Sequence, residues 1–401
     1  MLIVHKYGGT SVGSLERISS VASRVAKAKK DGNDIVVVVS AMSGETNKLI
    51  EFAKHFSNNP SKREMDMLLS SGERVTSALL AIALKEMGID AIAMTGRQAG
   101  IKTNNFHTYA RIESIDPKEM QKEINSGKVV IVAGFQGINE NGAVTTLGRG
   151  GSDLSAVAIA GALNADACEI YSDVDGIYTT DPRIEQKAKK MDFISYEEML
   201  ELASLGAKVL QNRSVELAKK LRVKIVAKSS FSNNEGTVIG KESKNMEAVL
   251  VSGIALDRNQ ARVSLREVSD RPGIAGEIFT KLANEQINVD MIIQNASSDG
   301  LTSLGFTVPE SELPRAKEII ENFDHDIKGK SFDSDICKVS IVGIGMKSHS
   351  GVAATAFSAL AKENINIEMI STSEIKVSMI IAQKYAELAV RTLHSVYELD
   401  A

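Results

Sequence analysis

The chain has 401 residues, 43% of them hydrophobic, which is enough for two or three domains with full cores. Its 47 basic and 51 acidic side chains give a formal charge of -4, so the composition offers no electrostatic case for nucleic acid or an anionic membrane surface as a partner. Two cysteines, Cys168 and Cys337, stand far apart in apolar runs and predict neither a disulfide framework nor a metal cluster, which favours a cytoplasmic location. His5 and Lys6 break the N-terminal apolar run, so we expect no secretory signal, and we also expect no apolar span long enough to cross a membrane.

The N-terminal part of the chain predicts an α/β domain. Residues 15–30 have helical periodicity, and a long helix is expected over residues 65–87, interrupted by the polar quartet 71–74. Strands are predicted at residues 2–4, 35–39, 91–94, 129–133 and 168–171. Because strands alternate with helices, the pattern predicts a three-layer αβα fold with a mostly parallel sheet and helices on both faces.

Beyond residue 228 the composition changes, and the chain then repeats itself. Residues 229–245 are polar and rich in Ser, Asn and Gly, which is typical of a domain end and a linker. A shift of 78 residues (351 minus 273) aligns Gly273 with Gly351 and produces nine further identities, among them Asn288 with Asn366. The repeat therefore predicts two similar small α+β units.

Each repeat copy reads as strand, glycine turn, helix, strand, strand and helix, but only the first copy has a candidate closing strand, at residues 327–332. A strand at residues 248–255 precedes the first copy without a partner there. The economical prediction is that this strand completes the second unit. The predicted domains are residues 1–240, residues 263–336 as the first unit, and residues 246–262 plus 337–401 as the second unit, in which the first is inserted.

A glycine-rich stretch at residues 146–156 predicts a ligand-binding loop. Its three glycines permit a tight turn and close approach to a ligand, and two of them flank Arg149. Ser152 and Asp153 stand where a buried helix should begin, with its first backbone amides available to an anion. An ordinary capped loop that enters a core helix explains this stretch equally well.

Three polar clusters follow predicted strands, where ligands collect in open α/β sheets. They are Lys6 to Ser11, Ser40 with its loop, and Ser172 to Gly176. A lysine followed by two glycines suits phosphate, but the P-loop pattern is absent and the motif alone fits a strand end with a tight turn.

The third cluster continues to Arg183, and a nucleotide could use its side chains. The ring of Tyr178 could lie against a base, Asp173 could bind a ribose or amine, and Arg183 could reach phosphate. A turn-rich surface loop is the alternative.

Several motifs together resemble those of the aspartokinase family, in the same order along essentially the whole chain. They are V-H-K-Y-G-G-T-S-V at 4–12, S-G-E-R at 71–74, T-L-G-R-G-G-S-D at 146–153, Y-S-D-V-D-G-I-Y-T-T-D-P-R at 171–183 and G-A-K-V-L at 206–210. In the repeated region, D-R-P-G at 270–273, Q-N at 294–295 and I-S-T-S-E-I at 370–375 resemble the paired ACT regulatory units of that family.

The resemblance implies transfer of the γ-phosphoryl group of ATP to the side-chain carboxylate of L-aspartate, giving 4-phospho-L-aspartate, the first step of lysine, threonine, methionine and diaminopimelate biosynthesis. A carboxylate is already ionised at neutral pH, since its reference pKa is about 4, so no strong general base is required. Mg2+ is expected with ATP, and its protein ligands are not named by the sequence. By resemblance, the catalytic residues are Lys6 and Asp153; the ATP-binding residues are Lys6, Tyr7, Gly8, Gly9, Ser172, Asp173, Tyr178, Arg183, Lys208 and Val209; and the aspartate-binding residues are Ser40, Glu73, Arg149, Gly150, Gly151 and Ser152.

The resemblance also implies that the two ACT-like units bind amino-acid effectors, lysine, threonine or both, and that they pair between subunits in a homodimer or tetramer. Ser350 stands before Gly351 where many relatives have proline, so the turn could be looser and effector affinity altered. Met246 could serve as the start of a separate small subunit. Plain packing of two small units is the alternative for each position. The candidate effector residues are Asp270, Gly273, Ile274, Ala275, Asn288, Asp290, Gln294, Val352, Ala353, Asn366, Ile367, Ser373 and Glu374.

Two other functions remain open at this point. One is a different amino-acid kinase of the same fold that acts on glutamate or acetylglutamate, against which Arg149, Glu73, Asp153 and the two ACT-like units argue together. The other is an amino-acid sensor without catalysis, against which the intact set of Lys6, Arg149 and Asp173 argues.

Overall fold

The computed structural model describes residues 1–204, 210–241, 251–295, 300–323, 327–344, 346 and 351–400. Lys208, Val209, Met246 and Ser350 lie outside the described residues. The chain forms two compact units, of which the N-terminal one contains residues 1–177, 190–203 and 210–241, and the C-terminal one contains residues 178–189 and the described residues from 251 onwards.

The N-terminal unit is built from strands and helices that alternate along the chain. Its strands are β1 (Leu2–Tyr7), β2 (Asp34–Val39), β3 (Ala91–Met94), β4 (Ile101–Thr103), β5 (Ile112–Ile115), β6 (Val129–Ala133), β7 (Gln136–Ile138), β8 (Val144–Thr146), β9 (Ala167–Ser172), β10 (Phe193–Ser195), β11 (Ile225–Ser229) and β12 (Thr237–Gly240). Its helices are α1 (Leu15–Lys30), α2 (Glu45–Phe56), α3 (Lys62–Leu69), α4 (Ser71–Glu86), α5 (Lys118–Asn125), α6 (Gly151–Ala162), α7 (Tyr196–Ser204) and α8 (Asn212–Leu221).

An eight-stranded sheet forms the centre of this unit, in the order β10-β12-β11-β9-β1-β2-β6-β3. All neighbouring strands are parallel except β11 and β12. The β-branched side chains of β2 are buried on both faces: Ile35, Val37 and Val39 pack in one core with α1 and α4, and α6 packs against β1, β2 and β9. The predicted α/β fold with a mostly parallel sheet is confirmed. A smaller sheet in the order β5-β4-β7-β8 completes the unit.

The helix predicted over residues 65–87 is interrupted one residue earlier than expected. The break is at Ser70, and the quartet Ser71 to Arg74 forms the first turn of α4 rather than a loop. The sequence was expected to contain no apolar span long enough to cross a membrane, but the stretch Lys62–Glu86 is long and apolar enough to do so by length and composition. Half of its most apolar 18 residues are buried inside the protein. Leu80 and Leu84 of α4 are fully buried in the sheet core, which accounts for the apolar character of this stretch.

The C-terminal unit contains one antiparallel sheet with helices packed on it. Its strands are β13 (Gly253–Ser269), β14 (Ile292–Gln294), β15 (Leu301–Val308), β16 (Ile327–Val342), β17 (Ile367–Thr372) and β18 (Lys376–Ala382), and its helices are α9 (Ile274–Asn284), α10 (Leu313–Glu321), α11 (Gly351–Lys362) and α12 (Ala386–Val396), with short 3-10 helices at Glu310–Glu312 and Gln383–Tyr385. The strand order is β14-β15-β13-β16-β18-β17.

Strands β13 and β16 are long because each serves both repeats. The first half of β13 pairs with the end of β16 (Gly253 with Val342), next to β18 and β17. The second half pairs with the start of β16 (Val268 with Ile327) and with β15, next to β14. Each half has its own apolar core, one with α9 and α10 and one with α11 and α12. This pairing is the one expected if the first repeat unit is inserted in the second. The domain boundaries themselves stay a prediction.

One segment lies on the other side of the boundary that the sequence predicted. Residues 178–189 fall within the predicted kinase domain, but they pack with the C-terminal unit. The polar composition of this segment gave no sign of the packing, because its contacts with the rest of that unit are mainly polar: Thr179 bonds Ile254 and His394, and Lys187 pairs with Asp400. Ile184 adds an apolar contact.

Candidate functional site

The candidate site of the N-terminal unit lies at the carboxyl edge of its central sheet. Lys6 pairs in register with Val38 on one side and Ile170 on the other, so the ends of β1, β2 and β9 lie level. Backbone hydrogen bonds continue this order past the strand ends: Ser40 N–H donates to the carbonyl of Tyr7 at 3.1 Å, and Gly8 N–H donates to that of Tyr171 at 3.2 Å. The three polar clusters that the sequence singled out therefore begin side by side.

Lys6 and Asp153 form a close ion pair at this edge. The Lys6 Nζ atom lies 2.5 Å from Asp153 Oδ1, and each side chain is 11% exposed. Lys6 is the second-last residue of β1, and Asp153 lies in the first turn of α6. The helix thus carries its carboxylate to the end of the strand, and the ammonium group is held near the opening of the glycine turn.

The loop before α6 requires glycine at two positions. Gly148 and Gly150 have positive φ angles of 77° and 73°, which disfavour side chains. A Cβ atom on Gly150 would lie 2.3 Å from Cγ of Gln211, and one on Gly148 would lie 2.6 Å from Cδ2 of Tyr109. The loop is therefore packed tightly from outside, while Arg149 between the two glycines is exposed and makes no ion pair among the described residues.

Two residues that the sequence did not indicate hold this loop. Arg213 donates to the carbonyl oxygens of Leu147 at 2.7 Å and Ala110 at 3.0 Å. Asp66 is completely buried in α3 and accepts hydrogen bonds from Thr146 Oγ1 at 2.5 Å and from the Thr108 N–H at 3.0 Å. A lone aspartate in the apolar run M-D-M-L-L was a usable signal for Asp66, but nothing in the local sequence singled out Arg213.

Glu73 connects the second strand end to α4. Its Oε1 atom accepts the N–H of Ala41, the residue after Ser40, at 3.1 Å, while its buried Oε2 atom has no hydrogen-bond partner among the described residues. Burial is the main cause that raises the pKa of Glu73 to about 7, and the Ala41 hydrogen bond opposes the shift. An unpartnered buried carboxylate oxygen beside Ser40 suits a cationic ligand group.

Apart from Lys6 and the two glycines after β1, the described nucleotide candidates divide into three groups. Ser172 ends β9 and the exposed Asp173 follows it at the carboxyl edge. Tyr7 is fully buried, with its ring stacked on Tyr171 at a centroid distance of 4.7 Å, so only its backbone is available to a nucleotide. Tyr178 and Arg183 belong to the C-terminal unit, where Arg183 forms a bidentate pair with Asp181.

The predicted effector residues occupy equivalent places in the two repeats. Gly273, with a φ of 98°, is the N-cap of α9, and Gly351 begins α11. The side chains of Ile274 and Val352 lie in the two apolar cores, so an effector could contact only their backbone groups. Asp290 is paired with the buried Lys338. The remaining candidates lie in the first turns of α9 and α11 or in and beside strands and loops, namely Asp270, Ala275, Asn288, Gln294, Ala353, Asn366, Ile367, Ser373 and Glu374.

The described residues contain no group of three or more His, Cys, Asp or Glu side chains arranged to hold a metal ion. Mg2+ is commonly held by one or two carboxylates together with substrate phosphates and water. The donor set at this edge, with Asp153 and Asp173, fits a magnesium ion that arrives with a nucleotide rather than one held by a protein cage.

Comparisons with known proteins agree with this arrangement. Residues 1–227 match the amino acid kinase family, and residues 265–322 and 339–397 match the ACT domain. An aspartokinase of Helicobacter pylori strain J99 is 59% identical over 404 residues, with 100% of both chains covered. The structure of E. coli aspartokinase III in complex with aspartate and ADP is 26% identical with a TM-score of 0.81, and the one in complex with lysine and aspartate is 26% identical with a TM-score of 0.80; each match covers 99% of both chains.

The parallel sheet, the lysine and glycine loop at its carboxyl edge and the two repeats that follow in the chain define an amino acid kinase with C-terminal ACT domains. At 59% identity over the full length of a named relative, the chain belongs to the aspartokinase family. The resemblance stated from the motifs is confirmed.

Proposed function

We propose that this protein is an ATP-dependent aspartate kinase that transfers the γ-phosphoryl group of ATP to the side-chain carboxylate of L-aspartate. The observation that supports it best is the convergence at one sheet edge of Lys6 with Asp153, of Glu73 on the N–H next to Ser40, and of the Arg149 loop. These groups supply cations for phosphate and for the α-carboxylate, and a carboxylate for the amino group. Such a set matches an amino-diacid and a phosphate donor.

The proposed mechanism depends on charge and placement. The aspartate side chain attacks the γ-phosphorus as an ionised carboxylate, the bond from phosphorus to the bridging oxygen of ADP breaks, and ADP leaves with that electron pair. Lys6 compensates the negative charge on the transferring group, and Asp153 holds the ammonium group of Lys6 in position. Mg2+ bound with the nucleotide would add positive charge there.

The acceptor would be oriented by groups on three different elements. Arg149 binds the α-carboxylate through its fork, with Gly150, Gly151 and Ser152 lining the adjoining helix start. Glu73 in its ionised form accepts from the ammonium group, beside Ser40. Holding both α-substituents leaves the distal carboxylate as the group that can reach phosphorus. ATP would be bound by Gly8, Gly9, Ser172, Asp173, Tyr178 and Arg183, together with Lys208 and Val209.

Regulation and assembly follow from the C-terminal repeats. We propose that lysine, threonine or both bind at the starts of α9 and α11, a view supported by the lysine complex of the E. coli relative. We also propose a homodimer or larger oligomer formed through the sheet edges. A cytoplasmic location is proposed as well, supported by Cys168 and Cys337, which are both buried and free.

A hydroxamate assay with purified protein tests the proposal. Wild-type protein, ATP and Mg2+ are incubated with hydroxylamine and either aspartate, glutamate or N-acetylglutamate, with and without lysine and threonine. We expect product with aspartate and less product when an effector is added. Product with glutamate or N-acetylglutamate instead of aspartate would show that the protein is a different amino-acid kinase. No product with any acceptor would favour an amino-acid sensor without catalytic activity.

A further inference from the structure

The segment of residues 178–189 connects the polar loop after β9 to the C-terminal unit. The residues before and after it stay with the N-terminal unit: Ile177 N–H donates to Thr237 Oγ1 at 2.8 Å, and Met191 N–H donates to the carbonyl of Ile177 at 2.8 Å. The segment itself packs with the C-terminal unit, and it carries Tyr178 and Arg183. Two proposed nucleotide residues are therefore held by contacts with the regulatory part of the chain.

Thr179 makes the most specific of these contacts. Its carbonyl accepts the N–H of Ile254 in β13 at 2.7 Å, and its Oγ1 atom lies 2.9 Å from Nε2 of His394 in α12. His394 is 1% exposed. A second contact is apolar, since Ile184 packs on the core formed with α11 and α12.

The hydroxyl group of Thr179 has a second partner besides His394. Thr179 Oγ1 accepts the N–H of Lys189 at 3.0 Å and keeps one lone pair and its own proton, so it donates to Nε2 of His394 or accepts from it according to the tautomer of the ring. A neutral imidazole is compatible with both directions. Burial lowers the pKa of His394, which keeps the ring neutral at physiological pH.

The same end of α12 also contacts a predicted effector turn. Tyr397 follows α12 directly and donates from its hydroxyl group to the carbonyl of Val352 in the first turn of α11, at 2.6 Å. His394 and Tyr397 are three residues apart, one helical turn. One short stretch of chain thus touches both the effector turn and the segment that carries Tyr178 and Arg183.

We propose that His394 is a positioning residue for the nucleotide: through Thr179 it fixes the segment 178–189, so that the last helix of the ACT region sets the placement of Tyr178 and Arg183. This rests on the proposed function, because it assigns ATP to those two side chains.

The first test removes the hydroxyl group of Thr179, which bonds both His394 and the N–H of Lys189. Thr179→Val is compared with Thr179→Ser, which keeps the hydroxyl group, and both are checked for an unchanged circular dichroism spectrum. Loss of the hydrogen bond to His394 predicts a rise of at least roughly two- to tenfold in the KM for ATP and in the Kd for ATP measured by calorimetry without aspartate. The KM for aspartate, and kcat at saturating ATP, should stay at the values of Thr179→Ser. Equal ATP constants in the two variants, or an equal rise in the KM for aspartate, would overturn the proposal.

The second test removes the His394 side of the contact and measures how the two positions are coupled. His394→Ala should raise the KM for ATP, while His394→Gln, whose side-chain amide can accept or donate near the position of Nε2, should restore it in part. The double variant Thr179→Val with His394→Ala should be no worse than the more impaired single variant, because both remove one shared contact. Additive losses would contradict the proposal.

The proposed kinase activity and the proposed role of His394 can be disproved separately. If wild-type protein does not phosphorylate aspartate, the proposed function is wrong, but the calorimetric Kd for ATP still decides on the role of Thr179 and His394. If aspartate is phosphorylated and the ATP constants of the variants match the wild type, only the role of His394 is wrong.

Discussion

Lys6 forms an ion pair at the sheet edge with the buried Asp153. Lys6→Ala should lower kcat by roughly 100- to 1000-fold, the usual effect of removing one donor to transition-state charge, while the fold survives. The rate is measured with both substrates saturating. Lys29→Ala, which removes an ion pair of α1 with Asp34, is the matched control and should keep wild-type kcat. Near-normal turnover of Lys6→Ala would remove Lys6 from the mechanism.

Arg149 is exposed between two glycines and is available to a ligand carboxylate. Arg149→Ala should raise the KM for aspartate by roughly 10- to 100-fold, the equivalent of a charged hydrogen-bonded pair, with a smaller effect on the KM for ATP. The KM for aspartate of Arg149→Lys should lie between those of the wild type and Arg149→Ala, since lysine keeps the charge without the planar fork. Aspartate saturation that is unchanged in Arg149→Ala would show that the substrate is oriented differently.

Glu73 predicts how aspartate binding depends on pH. Because burial raises its pKa to about 7, the carboxyl group is mainly protonated at pH 6 and mainly ionised at pH 8. Only the ionised form can pair with the substrate ammonium group, so the KM for aspartate should fall as pH rises from about 6 to 8 and then level off. Glu73→Gln should have a high KM without this trend. The same trend in Glu73→Gln would assign it to another group.

The raised pKa of Glu73 also makes the free energy of unfolding depend on pH. The folded pKa is raised above the ordinary value of 4.5, so the folded state binds more protons than the unfolded state between that value and about 7. The contribution of Glu73 to the free energy of unfolding is therefore greatest below about pH 4.5 and decreases as pH rises through about 7. Chemical unfolding of wild type and Glu73→Gln across this range measures the difference.

At the scale of elements, the glycine loop owes its shape to its neighbours. Arg213 at the start of α8 holds the carbonyl groups of Leu147 and Ala110 together, and Gln211 packs on Gly150. The loop between β8 and α6 is thus pre-shaped by a helix much later in the chain. Preorganisation of this kind lowers the cost of ordering the loop when substrate binds.

Arg213→Lys tests this support, since a single ammonium group cannot reproduce the two-carbonyl contact. We expect a loss of stability of about 1–3 kcal/mol from the unsatisfied carbonyl groups and a severalfold rise in the KM for aspartate. Arg63→Lys, at an exposed position of α3, is the control and should change neither. A loss of stability with normal aspartate binding would show that Arg213 supports the fold alone.

At the scale of the whole molecule, the repeat places two exposed apolar residues at the edges of the C-terminal sheet. Ile292 in β14 is 51% exposed and Ile370 in β17 is 41% exposed, and they are equivalent in the two repeats. Both strands are edge strands in the described sheet. Exposed edge strands with apolar side chains are sites of pairing with another chain.

If the proposed oligomer forms through these edges, the double variant Ile292→Lys with Ile370→Lys should lower the mass of the protein to that of a monomer, as measured by light scattering after size exclusion. Charges on an edge strand oppose pairing between chains. Phe56→Lys, at an exposed apolar position at the end of α2, should leave the mass unchanged. An unchanged mass in the double variant would place the interface elsewhere.

The sequence determined much of this protein by local rules. Continuous β-branched runs such as residues 35–39 predicted buried parallel strands, and the repeat predicted two similar units, because hydrophobic periodicity reflects which side of an element is covered. Lys6, Arg149 and Asp153 were found because glycine punctuation and charge are visible without any long-range contact. The family followed from the order of these motifs.

Tertiary structure alone decided the contacts between residues far apart in sequence. Asp66 with Thr146, Arg213 with Leu147 and Thr179 with His394 join positions that no local pattern connects. The raised pKa of Glu73 likewise depends on burial that its own segment does not reveal. Local composition sets which side chains are present and how each element pairs its backbone, but the fold decides which distant groups lose water together, and that loss of water fixes their hydrogen bonds and charges.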